Sequence, residues 1–321
     1  MNLPTRAALE QAARLVYEVM PPTPQICWPL LSQRLGLELW IKHENHTPLG
    51  AFKIRGGLVY FDELKRRQPA VTGVIAATRG NHGQSIAFAA RRHGLTAVVV
   101  VPHGNSREKN AAMRALGAEL IEHGRDYQEA LDHTIRLAAE RHLHLVPPVH
   151  EAIVAGVATA ALELLRAVPD LAVLYVPIGM GSGVCGAIAA RDALGLPTEI
   201  VGVTAAAAPA YAQSFASRRP VAAAVSPTIA DGLACRAPDP GALALMLPGT
   251  ARIVSVEESV IRAAMRHLFT DTHNVAEGAG AAALAAVIRE SAGLQGRRVA
   301  VIQTGGNVDR SVFAGVLADN A

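Results

Sequence analysis

Aromatic residues are scarce in this 321-residue chain, at 4% against 50% hydrophobic residues overall. A core of that composition has to be built from Ala, Val, Leu and Ile, as in parallel α/β proteins. Cysteine is scarcer still. Cys27, Cys185 and Cys235 are far apart, odd in number and without C-x-x-C spacing, which excludes a disulfide framework and a zinc knuckle and suits a reducing cytosol. Charge of one sign is also missing: 30 basic and 27 acidic residues alternate to a formal +3, leaving no basic stripe for nucleic acid or anionic lipid. A small-molecule partner is expected instead. No run approaches a membrane span. The opening MNLPTRAALEQAARLVYEVM has Leu9, Ala12, Val16, Val19 and Met20 at helical spacing with Glu10 and Glu18 among them, unlike a signal peptide. A cytoplasmic location follows as the expectation.

What is present is a regular alternation. VTGVIAAT (71–78) reads as a buried strand, and NHGQSIAFAARRHG as a helix stopped by Gly94. Strand TAVVVVP, helix SREKNAAMRALG with Ser106 as cap, strand AELIEH and helix DYQEALDHTIRLAAERH continue the pattern. After Pro147 and Pro148 come helix AIVAGVATAALELLRAV, strand AVLYVPI, a glycine run with its helix, and strand EIVGVT. RIVSV and RRVAVIQT then alternate with SVIRAAMRHLFT and GAAALAAVIRE. The fold expected is α/β, with two three-layer α/β/α lobes and mostly parallel twisted sheets. The boundaries expected are residues 1–49 and 147–321 for a large lobe and 50–146 for a small inserted one.

Several stretches carry the chemistry. In HENHTPLGAFKIRGG (43–57), Lys53 sits between Phe52 and Ile54, as either a solvated helix charge or a reagent. GMGSGVCG (179–186) joins a strand to an apolar helix, where glycines let backbone amides converge on an anion at a helix N-terminus. Its Gly181, Gly183 and Gly186 match G-x-G-x-x-G, but the acid that would bind a dinucleotide's ribose is absent because EIVGVT ends in Thr204. A phosphate monoester is therefore favoured over a dinucleotide, and a turn needed only for close packing is the alternative. TRGNHGQS (78–85) places Asn81 and His82 between a strand and a helix. In QTGGNVD (303–309), Thr304 at a strand tip can meet a ring nitrogen or cap a helix.

Taken in chain order, the lysine, asparagine loop, glycine loop and strand-end hydroxyl resemble the fold type II pyridoxal phosphate enzymes (tryptophan synthase β-like), within them the serine/threonine dehydratase and serine racemase group. TPLGAFKIRGG, TIADGLA (228–234) and EGAGAAALAA (277–286) extend the resemblance over nearly the whole chain. It implies pyridoxal 5′-phosphate as cofactor, held as a Schiff base on Lys53, which requires an uncharged amine. It implies that Phe52 abuts the cofactor, that Asn81 bonds its ring hydroxyl, and that Gly179, Met180, Gly181, Ser182 and Gly183 cradle its phosphate. Thr304 would face its ring nitrogen. Thr78, Arg79, Gly80, Asn81 and His82 become the expected substrate contacts. A neutral hydroxyl at the ring nitrogen makes a weaker electron sink than a carboxylate would, favouring prompt loss of a β-leaving group. The expected activity is an ammonia-lyase: Lys53 takes the Cα proton, and water leaves a β-hydroxy-α-amino acid such as threonine, serine or a 3-substituted serine. The products are a 2-oxo acid and ammonia. The alternatives on the same fold are β-replacement of the cysteine synthase type and racemisation. A homodimer is implied by the resemblance alone.

The chain also departs from that group. Racemising relatives carry serine just before Gly-Asn-His, and here that residue is Arg79, a poor acid/base group suited instead to gripping a carboxylate. Where several relatives hold a divalent cation with acidic residues, Thr204 and Ala210 stand, so no magnesium or calcium is expected there. Met180 and Ser182 replace two glycines of the usual dehydratase loop, as in the cysteine synthase branch. The chain ends soon after Asp309, which implies no regulatory domain of the biosynthetic threonine dehydratase kind.

Overall fold

Two sheets organise the computed structural model, which describes residues 1–318. The strands are β1 Gln25–Cys27, β2 Glu38–His43, β3 Gly73–Ala77, β4 Thr96–Val101, β5 Glu119–Glu122, β6 His144–Leu145, β7 Val173–Pro177, β8 Glu199–Ala205, β9 Arg252–Val256 and β10 Arg298–Gln303. One sheet is six-stranded in the order β1-β2-β10-β7-β8-β9, and the other four-stranded in the order β5-β4-β3-β6. Every pairing is parallel except that of β1 with β2. The loops after β3, β7 and β10 are therefore strand C-terminal loops, where open parallel sheets present ligand sites.

β1, β2 and the intervening Pro29–Leu35 helix lie ahead of the first strand recognisable in the sequence. In β2 only Leu39 and Ile41 read as core, while Lys42 and His43 are buried as well, so the hydrophobic pattern is broken by polar residues with tertiary partners. The core matches the composition. Valine, leucine, isoleucine and alanine fill both faces of the large sheet, and the Gly278–Glu290 helix is buried from Gly278 to Val287.

Lys53 opens the helix Lys53–Arg67, which packs on the helix Glu151–Ala167. A Cβ on Gly156 would stand 2.2 Å from the carbonyl oxygen of Arg55, so glycine is required where the two backbones meet. Beside that crossing is a buried ion network. Arg55 Nε donates to Glu44 Oε2 at 2.7 Å and its Nη1 to Glu163 Oε1 at 2.6 Å, while Lys42 Nζ donates to Glu163 Oε2 at 2.6 Å. Two cations and two carboxylates balance, and Thr23 and Thr159 satisfy remaining valences. Despite burial, Arg55 holds Glu44 below the usual carboxylate range. No helix among the described residues is long and apolar enough to cross a membrane.

Candidate active site

The segment that presents Lys53 is stitched to the end of β10. Phe52 N–H donates to the Thr304 carbonyl at 2.9 Å, Ala51 bridges Gly305, and Gly306 N–H donates to the Gly50 carbonyl at 2.9 Å. Ser85 Oγ, one helix away, donates to the Lys53 carbonyl at 2.7 Å. The lysine backbone is thus fixed from two sides. Its amine points at the glycine loop, with Nζ 3.3 Å from Ser182 Oγ and 4.9 Å from the centre of the Phe52 ring. No carboxylate pairs with it among the described residues, and desolvation lowers its pKa from 10.5 to about 8. Thr304 is buried, and its hydroxyl has no hydrogen bond within the described residues.

The loop after β3 turns through Thr78, whose Oγ1 accepts from Gly80 N–H at 3.1 Å, into the helix Asn81–Arg92. Arg79 Nε, His82 Nε2 and Gln84 Nε2 are buried without a hydrogen-bond partner. Such atoms in one short segment are available to a polar ligand or to water. His82 is held neutral, its pKa lowered to about 3 by burial and then by the nearby Lys53 ammonium. Asn81 is oriented at both ends of its amide: Nδ2 donates to Glu277 Oε1 at 2.6 Å and Oδ1 accepts from Asn307 Nδ2 at 2.9 Å. One proton of Nδ2 is left for a further acceptor.

Glu277, in turn, meets a cation that comes from the smaller sheet's side of the molecule. Lys109 Nζ is 3.0 Å from Glu277 Oε2 and 2.8 Å from Asp231 Oδ2. Burial pushes the Glu277 pKa up and Lys109 opposes that, while Lys109 itself is raised by its two carboxylates. Neither Lys109 nor Asn307 was a candidate from the sequence. Glu277 and Asp231 were legible only as members of the EGAGAAALAA and TIADGLA stretches.

The glycine loop leaves β7 and becomes the helix Ser182–Leu194. Gly181 has φ +99°, and a Cβ there would come within 2.8 Å of the Ala242 side chain and 3.0 Å of the Tyr211 hydroxyl. The N–H groups of Gly181, Ser182 and Gly183 find no acceptor among the described residues, as expected of a helix start that lacks a side-chain cap. With the helix dipole behind them, they are free to donate to an anion. At Gly183 a Cβ would make only ordinary contacts, 3.5 Å from Val176 and 3.7 Å from Phe52; the protein itself does not demand glycine there, and the space lies beside Phe52. Lys53, Phe52, Ser182, Gly183 and Thr304 are thereby brought together, with the Thr78–His82 loop adjoining through His82.

Residues 16–305 match the family described as pyridoxal-phosphate dependent enzymes. The chain is 36% identical over 280 residues to an L-threonine ammonia-lyase of Geobacter sulfurreducens, covering 87% of this chain and 69% of the relative. It is 31% identical to an L-threo-3-hydroxyaspartate ammonia-lyase of Saccharomyces cerevisiae, covering 99% and 98% respectively. Among solved structures, the processed threonine deaminase isoform 2 of Solanum lycopersicum superposes with a TM-score of 0.90 at 27% identity, covering 98% of this chain and 94% of the other.

Proposed function

Because this chain belongs to the family of pyridoxal-phosphate-dependent enzymes, we propose that it holds its cofactor at Lys53 and eliminates water from a β-hydroxy-α-amino acid, releasing a 2-oxo acid and ammonia. The residues present fit that cofactor. An amine without a carboxylate partner, three free amides at a helix start, and orphaned polar atoms on the neighbouring loop provide for an aldehyde, a phosphate and a polar substrate. When bound, the cofactor supplies an aldehyde that condenses with amines and a conjugated ring that accepts the electrons left at the substrate Cα.

The chain's own residues supply the rest. Lys53, with its pKa lowered by burial to about 8, is neutral far more often near neutral pH than an ordinary lysine. Its Nζ accepts the Cα proton, and Ser182 Oγ at 3.3 Å gives that amine a neutral hydrogen-bond partner. The free N–H groups of Gly181, Ser182 and Gly183 bind phosphate, and the spare proton of Asn81 Nδ2 bonds the ring hydroxyl. Thr304 presents an uncharged hydroxyl to the ring nitrogen, so it does not fix a proton there as a carboxylate would. Elimination is favoured over reactions that need a long-lived carbanion.

The observation that carries this reading is the setting of Lys53, desolvated, unpaired and fixed between β10 and the glycine loop. Lys42 cannot substitute, since its amine is committed to Glu163. Borohydride trapping of the holoenzyme followed by peptide mapping should place the adduct on Lys53, and β-hydroxy amino acids should yield 2-oxo acid and ammonia in equal amounts. An adduct elsewhere rejects the site. Turnover only with an added nucleophile and no net ammonia would instead support β-replacement, and fast inversion at Cα would support a racemase.

Arg79 favours an acidic substituent on the substrate. Its Nε is buried without a partner, and a second carboxylate, as in a 3-hydroxyaspartate, would supply one. Relatives include an enzyme named for that substrate. A cytoplasmic homodimer completes the proposal, the dimer resting on the family resemblance alone and the location on the cysteine usage.

A further inference from the structure

Tyr211 lies outside the residues so far given a role, yet it is 1% exposed and reaches the back of the glycine loop. It sits on the helix Ala210–Ser217, which follows β8. Its hydroxyl donates to the Met180 carbonyl at 2.7 Å and accepts from Asp239 N–H at 3.1 Å. Burial raises its pKa, which keeps the proton on the phenol and the donor in place. Asp239 is itself immobilised, capping the helix Pro240–Gly249 through Oδ1 to Ala242 N–H at 2.8 Å.

The geometry has a directional consequence. The Met180 carbonyl and the Gly181 N–H belong to one planar trans peptide and point opposite ways. Anchoring the carbonyl on Tyr211 therefore turns the Gly181 N–H away from Tyr211, toward the open side of the helix start. The Met180 side chain packs beside Cys235, with Sδ 3.6 Å from Sγ, and the Cys235 thiol donates to the Ala237 carbonyl at 2.9 Å. The side chains of the same region are poorly suited to a divalent cation. Thr204 spends its hydroxyl on Ser255 Oγ at 3.0 Å, and Ala210 has no donor in its side chain. No cluster of three or more His, Cys, Asp or Glu suited to a metal occurs among the described residues.

We propose that Tyr211 is a positioning residue for phosphate recognition, its neutral hydroxyl setting the peptide plane that aims the Gly181 N–H, so that the loop is organised without a divalent cation. This rests on the reading of the glycine loop as the cofactor's phosphate site. The test compares binding of pyridoxal 5′-phosphate and of pyridoxal to the cofactor-free full-length protein. For Tyr211→Phe, affinity for the phosphorylated form should fall about tenfold, the effect of one lost hydrogen bond and one misdirected amide. Affinity for pyridoxal should stay within about twofold, because its aldehyde attachment is untouched. Thr204→Val should change neither, and EDTA or added Mg2+ should leave the parent's binding unchanged.

Equal loss for both compounds, or loss for neither, overturns the proposal, as does a chelator effect in the parent that Mg2+ reverses. Should Tyr211→Phe fail to fold, Tyr211→3-fluorotyrosine replaces it. The stronger phenol donor should improve discrimination for the phosphorylated form by about twofold, and an unchanged ratio overturns the idea. A parent protein that binds neither compound rejects the cofactor site itself, an outcome distinct from a parent that binds both while the variants change nothing.

Discussion

Lys53→Met in the cofactor-free protein isolates the desolvation of one amine. In the unfolded chain this lysine holds its proton up to about pH 10.5, and in the folded chain only below about 8. Between those values the unfolded state binds more protons, so the parent's stability rises with pH across that window, and the burial cost is fully present below it. At 1.36 kcal/mol per pH unit the interval corresponds to about 3 kcal/mol. Part of the side chain stays accessible, and screening brings the expected figure to about 2 kcal/mol. Lys53→Met keeps an unbranched side chain one atom shorter and removes the charge, so at pH 7 the variant should be more stable than the parent by about that amount. By pH 10 most of this advantage should have disappeared. Urea unfolding of both proteins at half-unit intervals, read as the difference in free energy, gives the profile directly. A difference that is flat with pH, or one that grows as pH rises, would falsify the view that Lys53 is held in a desolvated, unpaired site.

Other perturbations address the surrounding groups. Arg55→Met leaves Glu44 and Glu163 buried against Lys42 alone and should cost about 3–5 kcal/mol in urea unfolding; a loss below about 1 kcal/mol would show the network to be dispensable. Lys109→Met deprives Glu277 of its cation, and burial should then raise that carboxyl's pKa further. Cofactor affinity should drop about tenfold, and adding Glu277→Gln, which keeps an acceptor for Asn81, should restore most of it. Arg79→Ala should lower kcat/KM for a 3-hydroxyaspartate by about 10–100-fold, the worth of a charged hydrogen bond, and change that for serine by less than about threefold. Equal loss on both substrates would assign Arg79 to the loop's structure.

How much of this was legible in the sequence depended on whether the signal was local. Most strands after residue 70 were readable from their apolar runs, whereas the two-residue β6 (His144–Leu145) carries too short a signal and was missed; Ser106 was readable as a helix cap because its oxygen meets the Lys109 N–H three residues on. The glycine loop was readable because a positive φ at Gly181 and free amides at a helix start both leave a local composition. β2 was not, since Lys42 and His43 are stabilised in its interior by Glu163 and Trp28, which are distant in sequence or outside the strand.

The same distinction separates the atoms proposed to contact ligand from those that aim them. Asn81 is a recognisable loop residue, yet the direction of its amide is decided by Glu277 and Asn307, 196 and 226 residues away. Glu277 is itself held by Lys109, which pairs with its other oxygen and opposes the effect of burial. Met180 belongs to a motif, but its carbonyl is directed by Tyr211, 31 residues on. Each of these partners acts through one hydrogen bond or ion pair of definite direction, and no periodicity or spacing records such a bond. A chain that retained every motif residue while losing Tyr211 or Lys109 would still read as the same enzyme, although its amide donors would be free to rotate. For that reason the binding of phosphorylated and unphosphorylated cofactor, rather than turnover alone, separates a present site from an aimed one.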